Sequence, residues 1–217
     1  MKDLIKRKNA ISNIILAIGA VLLVYSIYVY MDLKFFQEKE IEEYNVSVEE
    51  EVPIVDLNEK LSSEKDSKGN NGEKSSSIDR KSIEDLKMII EIPKIKLNAA
   101  VVNGTTSNYL KKGPGLYEIS PLPTDKDANV LIAGHRTTYG AWFKKVDKLD
   151  IDDDIFLKFE RKNYNYKVEK VFIIEKNDWS VTEHTGYNSL TLTSCHPPGS
   201  SRQRIVVRAR LYNIRDE

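Results

Sequence analysis

Between Asn9 and Met31 the sequence holds no charged residue, and Ile11–Tyr30 alone spans twenty positions. That is about the length a helix needs to cross a bilayer core of roughly 30 Å. Ser12, Asn13 and Ser26 interrupt it only mildly, and Tyr25, Tyr28 and Tyr30 gather at its far end, where amphipathic rings favour the interface. Lys2, Lys6, Arg7 and Lys8 precede it. Positive residues stay on the cytoplasmic side, so residues 1–8 are expected in the cytoplasm and 9–31 as a single-pass anchor in the cell membrane. Everything after Met31 is then extracellular. A cleaved signal peptide shares the charged start, but its apolar core is roughly 7–15 residues and ends in small residues. Tyr28-Val29-Tyr30-Met31 offers no such site, and no neighbouring cysteine could carry a lipid.

Residues 32–82 read as an acidic and polar tether. Gln37–Glu51 carries seven Glu and one Lys and is compatible with a partial helix. Ser62–Ser77 contains no apolar residue, so it cannot bury enough surface to offset its ordering entropy and is expected to be disordered. The whole chain balances 33 Lys+Arg against 33 Asp+Glu. A zero net charge gives no broad electrostatic footprint for nucleic acid.

From residue 83 the texture changes. Met88–Ile92, Leu97–Val102, Asn129–Ala133, Ile155–Phe159, Tyr166–Ile174, Leu190–Ser194 and Ile205–Leu211 are short runs rich in β-branched and aromatic residues. Pro93, Gly113-Pro114-Gly115, Pro121, Pro123, Asp152–Asp154 and Pro197-Pro198 punctuate them. Seven or eight strands in residues 83–217 predict a mainly β domain, a closed barrel or a sandwich. Brief helical turns are expected at Ser107–Lys111 and Tyr139–Lys145.

The single cysteine, Cys195, excludes an intramolecular disulfide and multi-cysteine metal sites. A lone cysteine is commonly just a small buried apolar residue. Against that, the compartment inferred here is oxidising, and Cys195 stands where a strand meets a Pro-Pro turn, at a rim. A nucleophilic thiol needs an imidazole partner and an oxyanion stabiliser. His196 is adjacent, and neighbours in an extended chain face opposite ways. His184 sits in the polar loop Asn177–Asn188, whereas His135 follows the apolar run Asn129–Ala133 through Gly134, again at a rim. His135 is the best placed. Beyond the turn, Arg202, Arg204, Arg208 and Arg210 alternate with other residues, which puts them on one strand face. A solvated face accounts for Arg208 and Arg210. Arg204, nine residues past Cys195, could return beside the thiol, where its fixed charge could hold an oxyanion.

His135, Cys195 and Arg204 in this arrangement resemble the sortases, cysteine transpeptidases of Gram-positive cell surfaces. Thr191-Leu192-Thr193-Ser194-Cys195 is similar to the family's TLxTC signature, with Ser in place of the usual second Thr. Gly134-His135-Arg136-Thr137 matches its histidine neighbourhood, and Arg204-Ile205-Val206-Val207 its R-x-x-V strand. Ile92-Pro93-Lys94-Ile95 and Leu110–Gly115 also look like family elements, and the similarity covers about Met88 to Asn213. Gly134–Gly140, Cys195-His196-Pro197 and Arg202–Val206 look most like class E, with class D second. The resemblance implies a closed eight-stranded β-barrel with short helices, preceded by a transmembrane helix and a tether. It implies a peptidase-class enzyme (EC 3.4.22.-) in which Cys195 attacks the Thr–Gly bond of a C-terminal LPxTG- or LAxTG-like sorting motif. His135 would protonate the departing amine, Arg204 would steady motif and oxyanion, and Thr193 and Ser194 would border the bound substrate. Partners implied are surface proteins bearing the motif and an amine acceptor such as a peptidoglycan precursor. The loop Asn177–Asn188 matches the segment that shapes the family's binding groove.

Two other readings compete. A hydrolytic cysteine protease of papain order places Cys before His, opposite to this chain. A non-enzymatic surface-binding module would leave the thiol inert. No cofactor or metal is expected: Asp152–Asp154 lacks EF-hand spacing, and His184, Cys195 and His196 lack zinc spacing.

Overall fold

A computed structural model describes residues 2–49 and 87–216, with side chains for residues 13–48 in the first segment. The polar run Ser62–Ser77 lies outside the described residues. Helix α1 spans Lys2–Glu49, so it continues well past Met31 through residues expected to be tether. Its exposure changes character along the way. Ile14 to Met31 are exposed on every face, with Leu16 at 75%, whereas Leu33, Phe36, Gln37, Glu40, Ile41 and Tyr44 form a covered stripe. Those offsets of three and four residues trace one helix face packed on the domain.

The domain contains nine strands: β1 (Met88–Ile92), β2 (Leu97–Ala100), β3 (Val102–Asn103), β4 (Gly115–Leu116), β5 (Asn129–Ala133), β6 (Asp154–Phe159), β7 (Lys162–Glu175), β8 (Ser189–His196) and β9 (Gln203–Asp216). They form one sheet in the order β2-β1-β6-β7-β9-β8-β5-β4-β3. Its two ends, β2 and β3, are consecutive pieces of one run separated only by Val101. The sheet therefore curls until a single stretch of chain serves both edges, a nearly closed barrel. The count of nine against the expected eight comes from this break at Val101, and the strand that the sequence hides is the two-residue β4.

Inward positions alternate along each strand, as a pleated sheet requires. Ile90 and Ile92, Val130 and Ile132, Ile155 and Leu157, Leu190 and Leu192, and Ile205, Val207 and Ala209 build the core. One helical turn, α2, occupies Ser107–Leu110 as expected. Tyr139–Lys145 is not helical. Tyr139, Gly140 and Ala141 have φ of 45°, 80° and 46°, left-handed values that a right-handed helix cannot include. A short 3₁₀ turn follows at Val146–Lys148 instead.

Candidate active site

Strand parity places the site. On β5 the odd residues Leu131 and Ala133 face outward, and on β8 so do Thr191, Thr193 and Cys195, because their even neighbours fill the core. Strands β5 and β8 run parallel in a register offset of sixty, from Asn129 opposite Ser189 to Ala133 opposite Thr193. The amide of Gly134 donates to the Thr193 carbonyl (3.0 Å), carrying the pairing one step beyond the strand. Continued once more, it sets His135 beside Cys195. Across the antiparallel β8–β9 pair, Cys195 lies opposite Arg204. His135, Cys195 and Arg204 thus occupy one row across three strands. All three line one outward cleft of about 360 Å³, with Tyr117, Trp179 and Thr193 among its walls.

Each member is held locally. Gly134 has no room for a side chain, since a Cβ there would sit 2.5 Å from the Phe143 ring. Arg136 is 3% exposed; its Nη1 donates to the Phe143 carbonyl (3.0 Å) and its Nη2 pairs with Asp147 (2.9 Å). This folds the segment after His135 back under it. The Tyr139 ring tilts against the imidazole with centroids 5.4 Å apart. Burial pushes the His135 pKa down from its ordinary value, and its Nε2 has no hydrogen-bond partner among the described residues. The imidazole is therefore poised to give up a proton. Arg204 donates from Nη1 to the carbonyls of Ser201 (3.1 Å) and Gln203 (3.0 Å). Thr193 shares a 2.8 Å hydroxyl contact with Tyr117, and Ser194, on the opposite parity, donates to the Gly134 carbonyl (2.7 Å).

The far wall of the cleft is the segment from Lys176 to Thr182. It is pinned from beneath. Buried Asn129 donates from Nδ2 to the carbonyls of Val181 and Glu183 (2.9 Å each), while its Oδ1 accepts from Ser189 and Thr191. Arg208 also donates to the Val181 carbonyl (2.9 Å). Arg208 is thus not on a solvated face: it is 6% exposed, and burial pushes its pKa down. Arg210 does face solvent and pairs with Glu169 (3.0 Å). The sequence reading missed Tyr117, Tyr139, Arg136 and Asn129. Arg136 and Tyr139 stood inside the quoted stretch Gly134–Gly140; Tyr117 and Asn129 belong to the site by contacts made across the fold.

His184 is exposed and His196 falls on the other face of β8; neither lines the cleft. Arg202 stands in the β8–β9 turn, away from it. Of the Asp152–Asp154 turn, Asp153 pairs with Lys94 and Asp154 with Lys167. Among the described residues no three His, Cys, Asp or Glu side chains are grouped to hold a metal.

A mixed β-barrel with a thiol, an imidazole and a guanidinium in one row defines a class, a β-barrel with a cysteine-centred cleft. A family model for the sortase domain matches residues 90–212, more than half of the chain, and the chain belongs to the sortase family. It is 32% identical to Sortase D of Bacillus subtilis over 123 residues, covering 55% of this chain and 60% of that protein. Against Sortase SrtE1 of Streptomyces coelicolor it is 28% identical over 142 residues, 58% of this chain and 40% of that protein. The crystal structure of Sortase E1 from Streptomyces coelicolor, with a tripeptide in the active site, superposes with a TM-score of 0.56 at 25% identity. That match covers 60% of this chain and 90% of the other. Streptococcus pneumoniae Sortase C gives 0.55 at 27% identity, covering 58% and 67%. The chain spans between two fifths and three fifths of the length of the curated relatives it matches. Class D and class E relatives both appear among them.

Proposed function

We propose that this chain is a membrane-anchored cysteine transpeptidase that cuts a C-terminal LPxTG- or LAxTG-like sorting motif between Thr and Gly and joins the new carboxyl end to a cell-wall amine. The observation that carries the reading is the row His135–Cys195–Arg204 across β5, β8 and β9. The Cys195 thiolate attacks the threonine carbonyl carbon, and the negative charge that develops on the carbonyl oxygen is met by the Arg204 guanidinium. The tetrahedral adduct collapses by breaking the C–N bond. The leaving glycine amine takes a proton from the His135 imidazolium, leaving neutral imidazole and a thioester on Cys195. An incoming amine then attacks the thioester carbon and gives its proton back to His135. The new amide forms and the thiolate is released.

The cleft suits an extended peptide: it is open, walled by Tyr117 and Trp179, and floored by Thr193 and Ala133. Thr193 and Ser194 border the bound motif, Ser194 through its backbone because its hydroxyl is spent on Gly134. The sorting motif itself would come from surface proteins, and the amine from a peptidoglycan precursor. Residues 1–8 lie in the cytoplasm, 9–31 span the membrane and the barrel stands outside; the exposed apolar helix surface from Ile14 to Met31 supports this placement. Incubating the detergent-solubilised full chain with LPxTG and LAxTG peptides, with and without an amine, tests the reading by intact mass. A thioester on the wild type that Cys195→Ala lacks is expected. No adduct with any such peptide would overturn it.

A further inference from the structure

Helix α1 does not end at the membrane. It runs without a break from the all-round exposed apolar segment into the stripe that packs on the barrel, and no Pro or Gly intervenes between Ala20 and Glu49. Gln37, 5% exposed, joins the two. Its Oε1 accepts from the Ala100 amide (2.8 Å), and its Nε2 donates to the carbonyls of Ala100 (3.2 Å) and Lys112 (2.8 Å). The side-chain amide thereby pairs with the backbone of β2 as another strand would. Further out, Glu43 pairs with Lys87, Tyr44 is buried, and Arg161 donates to the Val48 carbonyl (2.6 Å). An α-helix rises about 1.5 Å per residue, so a barrel clamped at Gln37 sits only about 9 Å from Met31 along the axis.

The segment that follows His135 comes closer still. Leu33, about 3 Å beyond Met31 along the axis, packs against it: a Cβ at Gly140 would meet Leu33 Cδ2 at 3.1 Å and the Trp142 ring at 2.9 Å. Lys112 lies over the Phe36 ring (5.1 Å) and Lys111 over the Tyr139 ring (5.2 Å). Tyr139, Lys111 and Lys112 are exposed. The headgroup region on each side of a bilayer core is roughly 5–7 Å deep, and aromatic and Lys side chains are its preferred residents.

From this continuity, the geometry points to a second membrane contact: Tyr139, Lys111 and Lys112 rest in the headgroup layer of the bilayer that holds α1, with the half-buried Trp142 directly behind them, so that the His135 side of the cleft opens at the lipid surface. The ligand is the lipid interface itself, with phosphate groups meeting the two lysines. The inference rests on the reading of α1 as a membrane anchor. It means that the barrel is not free to swing on a tether and acts on peptide segments held close to the bilayer.

The chain has two tryptophans, Trp142 and Trp179, and Trp179 is 61% exposed, so Trp179→Phe leaves a folded protein with Trp142 as sole reporter. The full-length variant would be reconstituted in phosphatidylcholine–phosphatidylglycerol vesicles whose acyl chains are brominated near the headgroup end. Flotation is read first, then tryptophan emission against unbrominated vesicles. Flotation with about a twofold loss of Trp142 emission is expected for a ring just behind the interface. Adding Gln37→Ala, which unclamps the barrel, should restore most of it. Flotation with Trp142 emission unchanged overturns the second contact and leaves the anchor standing. Failure to float overturns the anchor and this inference with it.

Discussion

Cys195 and Arg204 are direct cross-strand partners in the antiparallel β8–β9 pair. Opposed side chains in such a pair have Cβ atoms about 4.5–5.5 Å apart, close enough for a guanidinium to meet the oxyanion that develops on a carbonyl oxygen when the sulfur attacks its carbon. Arg204→Lys keeps the charge but loses the planar fork, and a fall in kcat/KM of at least tenfold, roughly 1.4 kcal/mol, is expected. Arg202→Ala, in the turn, should stay near wild type. Peptide-cleavage kinetics decide this; a crippling Arg202→Ala beside a silent Arg204→Ala would refute the assigned row.

His135 should titrate below the ordinary imidazole value of about 6.5, because burial disfavours its charged form. Productive enzyme needs imidazolium with thiolate, so the acid limb of kcat/KM should follow this depressed value and the doubly useful form should remain scarce. Tyr139→Ala uncovers the ring and should move the limb back up toward 6.5. Histidine NMR titration of the Cys195→Ala variant checks the sign. A His135 value above 6.5 would contradict it.

The same shift bears on stability. A histidine whose folded value lies below its unfolded value binds protons more readily when unfolded, so its contribution is neutral well above pH 6.5 and turns unfavourable as pH falls through that value. His135→Gln should therefore lose less stability than the wild type between neutral and mildly acidic pH. Thermal melts across that range would show the wild-type Tm falling more steeply than the variant's as pH falls; parallel curves would count against the shift.

Asn129 holds the cleft wall and β8 together through four hydrogen bonds in a buried setting. Asn129→Ala removes all four, leaving the Val181 carbonyl to Arg208 and the Ser189 hydroxyl to Thr185, and a loss of about 2–4 kcal/mol is expected. In a domain of this size that is a fall in Tm on the order of 10 °C. Faster amide exchange around Val181 should accompany it. An unchanged Tm would mean that other contacts carry the wall.

Gly134→Ala places a methyl 2.5 Å from the Phe143 ring, which is fully buried and has nowhere to retreat. Overpacking of this kind costs about 1–3 kcal/mol. The strain falls on the residue next to His135, so turnover should drop by more than tenfold while the barrel still folds. Activity within twofold of wild type would show that the segment after β5 can shift freely.

What the sequence by itself determined is what local chemistry decides. An uncharged run of this length has to become an apolar helix, and the β-branched runs between Gly and Pro breaks had to become strands whose alternate residues share a face. Seven of those runs correspond to β1, β2 with β3, and β5 to β9, and the parity of Cys195 and Arg204 on their strands was legible for that reason. Tertiary pairing decided the rest. His135 reaches Cys195 only because β5 and β8, sixty residues apart, lie parallel and in step, and periodicity within one strand carries no information about its neighbour. Arg208 looked solvated because its alternation is that of an exposed face; the Val181 turn folds over that face and buries it. The acidic run after Met31 looked like tether because its glutamates are polar, yet Leu33, Phe36, Gln37, Ile41 and Tyr44 line up once every helical turn and find a barrel edge to cover. Burial belongs to a surface and whatever packs on it, and a sequence shows only the surface.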